Sequence, residues 1–144
     1  MPYATQAQLE LAAGGADRLT SLTDWNQDGT GDATVIAEAL EVADGLIDGY
    51  LRARGYNLPL ANPTDSLRRV AAQEAVFWLR DSRGMASEDH VRQHEERLAW
   101  LRDVAKGAVR VDEPSAPEAM TTRSAWVSPA SDKAVTRDNL KGFV

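Results

Sequence analysis

The 144 residues include no cysteine, which excludes disulfide frameworks, thiolate catalysis, zinc ribbons and iron–sulfur clusters. Histidine is almost as scarce, with His90 and His94 alone. No apolar run approaches the ~20 residues that cross a bilayer, and the opening Met-Pro-Tyr-Ala-Thr-Gln has neither the basic nor the greasy region of a signal peptide. The expectation is a soluble chain made in a cytoplasm, away from membranes. There is no glycine loop followed by lysine to cradle a phosphate, no nucleophile elbow and no strand–helix alternation. Repeats of 20–50 residues and low-complexity tracts are missing as well. The sequence therefore points away from an enzyme.

What is present is an ordinary globular composition, 43% hydrophobic and 26% charged, in a 15.7 kDa chain sized for one domain with an appendage. The net charge of −6 is unevenly distributed. In residues 1–50 Arg18 is the one cation against nine carboxylates, while residues 108–144 are balanced. An acidic front half repels a phosphate backbone, so it suits a cation, a basic partner, or a surface to which DNA should not adhere.

Hydrophobic spacing predicts an all-α body, a small bundle of about four helices. Thr5 with Gln8 forms a capping box for a short helix to about Ala13, stopped at Gly14-Gly15. A second short helical piece spans Ala16 to Leu22. Asp32 caps a long helix over residues 33–54, where Ile36, Leu40, Ala43, Ile47, Tyr50 and Leu51 recur at helical steps and Val35, Val42 and Leu46 widen the stripe. Gly45 and Gly49 lie on one face of it; a close helix approach would justify two residues that each cost ~1 kcal/mol relative to alanine. Gly55 to Pro63 reads as an extended loop. Thr64 or Asp65 opens another long helix to about Arg83. Ser87 opens the last, to about Lys106, with Val91, His94, Leu98, Leu101 and Ala105 along one side, before Gly107.

Beyond Gly107 helical periodicity ends, and Pro114, Pro117 and Pro129 appear. Such a composition cannot fold alone. Yet Trp126, Val127, Val135, Leu140, Phe143 and Val144 are apolar groups that a linker does not need. The organisation expected is a helical body, residues 1–107, and an extended, non-globular C-terminal docking arm, residues 108–144. Trp126, Val127, Leu140 and Phe143 are its partner-binding anchors; the alternative for Trp126 is folding back on its own body.

One motif resembles a metal site. With Asp24 as position one, Asn26 is third, Asp28 fifth, Gly29 sixth and Asp32 ninth, the opening of a calcium loop. Position twelve is Val35, so the bidentate glutamate is missing and no second loop pairs with it. Three readings stand: an Asx-rich turn capping the long helix, a weak calcium site built from Asp24, Asn26, Asp28 and Asp32, or a sensor-type calcium switch. No other cofactor is expected. His90 and His94 have helical metal-binding spacing, but a site needs a third ligand and no glutamate directly follows His90 as in a metalloprotease helix; Glu95 and Glu96 are adjacent, yet a helix-start and a half-buried histidine are expected. Glu74, beside an apolar stripe, is expected to pair with an arginine, and Arg68-Arg69 to form a solvated face.

The opening Met-Pro-Tyr-Ala-Thr-Gln-Ala-Gln-Leu, the Leu22-Thr23-Asp24 leading into the Asp/Asn/Gly loop, Ile47-Asp48-Gly49-Tyr50-Leu51 and Tyr56-Asn57-Leu58-Pro59-Leu60 occur in order. Together they resemble the Mu-like phage and prophage head–tail connector, or head-completion adaptor, family. The resemblance covers roughly residues 2–105, and Leu140-Lys141-Gly142-Phe143 is similar to that family's ending. It implies a structural subunit of a virion, assembled in a bacterial cytoplasm, that forms a ring beneath the portal, expected to be dodecameric. Its arm would reach the portal protein, its opposite side would receive the next connector or tail protein, and double-stranded DNA would pass without sequence-specific binding. The rival reading from the residues is a calcium-dependent protein–protein interaction module; a small metal enzyme using His90 and His94 is a third.

Overall fold

Side-chain caps start four of the five described helices where the sequence places them. In a computed structural model, which describes residues 2–112, Thr5 Oγ1 accepts from the Gln8 backbone N–H and the Gln8 side chain accepts from the Thr5 N–H. That reciprocal box begins α1, Gln6–Ala13, and the chain turns at Gly14 in the left-handed region. The other elements are α2 (Ala16–Thr23), α3 (Ala33–Arg54), α4 (Asp65–Ser82) and α5 (Glu88–Lys106). Asp32 and Thr64 cap α3 and α4 with their side chains, and Ser87 and His90 form a second reciprocal box at α5. Among the described residues the regular structure is entirely helical. The described residues form five helices, three long ones and the short α1 and α2 on either side of the Gly14-Gly15 turn, in keeping with the small helical bundle expected.

The three long helices pack on one another, α1 lies across α4, and α2 joins α1 to α3 and α4. Leu9, Ile47, Leu51, Leu67, Leu79, Leu101, Val104 and Val111 are fully buried at the shared centre. Each such side chain stabilises the fold by about 1.5–3 kcal/mol relative to an exposed position.

Three details differ from the sequence reading. A Cβ built on Gly45 or Gly49 meets no heavy atom within 4 Å, so among the described residues no helix approaches that face of α3. Val91, placed on the inner side of α5, is exposed, and the core contribution of α5 comes from Leu101 and Val104. Finally, the chain does not leave the body at Gly107. There the backbone turns at φ 83°, under the Arg54 guanidinium, where a Cβ would lie 2.8 Å from Arg54 atoms. Residues 108–112 then run back along the loop before α4. The Thr64 N–H donates to the Val111 carbonyl at 2.8 Å, Pro63 and Asp112 form an isolated antiparallel bridge, and Val111 is fully buried.

Candidate functional site

The Asp24–Asp32 loop sits between α2 and α3, and backbone groups occupy its side-chain oxygens. Asp24 accepts from the N–H groups of Asp28 (3.0 Å, Oδ1) and Gly29 (2.9 Å, Oδ2). The Asn26 Oδ1 accepts from Asp28 N–H, and its amide donates to Asp28 Oδ2 at 3.0 Å. Asp28 Oδ1 accepts from both the N–H and the hydroxyl of Thr30, which hold its carboxyl below the usual range. Asp24, Asn26 and Asp28 are thus brought together, whereas Asp32 turns to α3 and accepts from the Thr34 N–H and hydroxyl. Val35, at the twelfth position, faces the core at 6% exposure. Among the described residues no three histidine or acidic side chains gather as a metal ligand set.

An aromatic clasp pins this loop to α4. The Trp25 ring stacks on Trp78 with centroids 6.3 Å apart, and its indole N–H donates to the Leu22 carbonyl at 3.1 Å. Arg83 reaches across from the end of α4 to the carbonyls of Leu22 and Asp24. Trp25 is 44% exposed, and its other face lies on Trp78.

The two histidines serve different partners. His90 Nδ1 accepts from the Ser87 N–H at 3.0 Å and belongs to the α5 cap. His94 Nδ1 lies 2.8 Å from the Glu74 carboxylate and its ring stacks on Phe77 at 4.2 Å. Arg97 binds the other oxygen of Glu74, which is the arginine pairing expected of that residue. Glu74 is 3% exposed, so a charge that would be costly alone is matched on both oxygens between α4 and α5.

On the outer side of α3, Tyr3 reaches two carboxylates. Its N–H donates to Asp44 at 3.1 Å and its hydroxyl to Asp48 at 2.5 Å. Burial raises the Asp44 pKa, against the Tyr3 hydrogen bond that lowers it. The Tyr3 phenol is pushed well above its ordinary value by burial and by Asp48. With Glu41, these groups border an open groove of about 660 Å³ whose apolar wall includes Leu40, Leu58 and Pro59. Sequence spacing has no signal for joining Tyr3 to this cluster, because it lies more than forty residues from Asp44 and Asp48. The anchors Trp126, Val127, Leu140 and Phe143 lie outside the described residues.

Comparisons with known proteins agree with the ordered motifs. The model of a family described as "Bacteriophage Mu, Gp36" matches residues 3–128. "Gene product J" of Escherichia phage Mu is 32% identical over 117 residues, which cover 81% of this chain and 81% of that protein.

Proposed function

This chain belongs to the bacteriophage Mu Gp36 family, and we propose that it is a structural head–tail connector subunit of a tailed-phage or phage-like particle. In this reading the five-helix body forms a ring beneath the portal, and the chain beyond it docks on the portal through Trp126, Val127, Leu140 and Phe143. A further connector or tail protein binds the opposite side, and DNA passes through the lumen. The observation that carries the reading is the span of the family match: it runs beyond the last helix, through Trp126 and Val127. The family's pattern thus includes the apolar segment as well as the helices.

Physical considerations support the same role. An arm that orders only on its partner spends chain entropy at that moment, and many weak arms on one ring gain strength by multivalency. The acidic side chains Glu41, Asp44 and Asp48 share one side of α3; facing a lumen, they would keep passing DNA from adhering. The Asp24–Asp32 loop acts here as a turn that caps α3, and no cofactor is required.

The test is incorporation. A chain ending at Glu113 should fold yet be absent from assembled particles, whereas normal incorporation of that truncated chain would defeat the proposal. Carboxylates of α3 facing away from the channel in an assembled ring would remove the lumen role alone.

A further inference from the structure

We propose that a cleft formed where α4 and α5 meet the end of α1 binds a small oxyanion, with Arg80 as its principal ligand. The cleft has a volume of about 80 Å³ and is lined by Gln73 and Arg80 of α4 and by His90, Gln93 and Arg97 of α5. That is room for a group of a few heavy atoms, on the scale of a phosphate or a carboxylate.

Every lining polar side chain carries at least one donor, and none is a carboxylate. Arg97 bonds Glu74 through Nε, which leaves its terminal amino groups available, since a guanidinium carries five N–H donors. His90 accepts the Ser87 N–H on Nδ1. A neutral imidazole that accepts on one nitrogen carries its proton on the other, so Nε2 is a donor. Gln73 and Gln93 add side-chain amides.

Arg80 itself has no carboxylate within ion-pair distance among the described residues. Glu74, the buried acid of this region, is already shared by His94 and Arg97. Burial lowers the pKa of the Arg80 guanidinium, and the like charges of Arg18 and Arg97 lower it further. A half-buried cation surrounded by donors and other cations lacks one thing, an anion, and charge-assisted bidentate pairing is the interaction an arginine makes best.

The same oxyanion chemistry is available from free phosphate and from an acidic side chain of another protein. The experiment uses the full-length chain and follows thermal unfolding in sodium phosphate, sodium acetate and sodium chloride at matched ionic strength. Ligand binding to the folded state raises the transition saturably. A rise with phosphate alone identifies a phosphate-type site, and a rise with acetate also identifies a carboxylate-type site. In either case Arg80→Met should weaken binding at least about tenfold, the effect of losing a hydrogen bond to a charged group. Gln93 is exposed, so Gln93→Leu gives a second variant that threatens the fold little, and it should weaken binding severalfold. Equal transitions in all three salts, or shifts that persist unchanged in both variants, would overturn the proposal.

Discussion

Thr64 and Val111 are joined by a 2.8 Å backbone hydrogen bond, so the residue that caps α4 also holds the segment that leaves α5. The last contact of the body therefore lies several residues beyond the last helix. Val111 fills the core with no accessible surface, and its carbonyl is the acceptor for the Thr64 N–H.

Truncation should expose that difference. A chain ending at Gly107 loses Val111 and is expected to be about 1.5–3 kcal/mol less stable than one ending at Glu113. Urea unfolding followed by circular dichroism measures it; equal midpoints would show that residues 108–112 contribute nothing.

Glu74 should be the most sensitive polar position. Glu74→Ala leaves Arg97 and His94, 13% and 24% exposed, without their shared carboxylate. The expected cost is about 3 kcal/mol, the lower end for a broken buried pair because both partners of Glu74 are partly solvated. Replacing Glu74 and Arg97 together by leucine should cost less than Glu74→Ala alone, as measured in a double-mutant cycle. A loss under about 1 kcal/mol for Glu74→Ala would contradict the buried pairing.

Asp44 gives a pH signature. Its folded pKa is raised, chiefly by burial, so the native state holds this proton more tightly than the unfolded chain does. That contribution is fully present below the unfolded value of about 3.9 and is lost as pH rises through the folded one. Asp44→Asn keeps an acceptor for Tyr3 and removes the ionised form. It should stabilise the chain at neutral pH, by under about 1 kcal/mol given solvent screening, with the gain vanishing below pH 4. A gain that grows on acidification would have the wrong sign.

Calcium should leave the protein unchanged. Asp32 is committed to Thr34, and the twelfth position is a core valine. Isothermal titration of chelator-treated protein with millimolar calcium is expected to give only heat of dilution, and Trp25 fluorescence should stay constant. Saturable heat abolished by Asp24→Asn would restore the metal reading.

Much of this was legible in the chain because it is local. Thr5, Asp32, Thr64 and Ser87 act within three residues of themselves, so caps and helix limits follow from neighbours in sequence. Partnerships across the fold were not. Trp25 on Trp78 and Tyr3 on Asp48 depend on how helices dock, which spacing along one helix does not encode. Gly45 and Gly49 show the converse: their pattern suggests close packing, yet none of the described residues fills the space beside them. Glu74 was half legible, since an acid beside an apolar stripe demands a cation, but not which one.

In the proposed reading the helical body is complete by Glu113, and the rest of the chain would find its contacts on the portal. Mixing purified portal rings with the full-length chain and with the chain ending at Glu113, then separating by sedimentation, tests it most directly. The account predicts that the full-length chain travels with the portal and the shortened one stays behind. Equal co-sedimentation of both would contradict it.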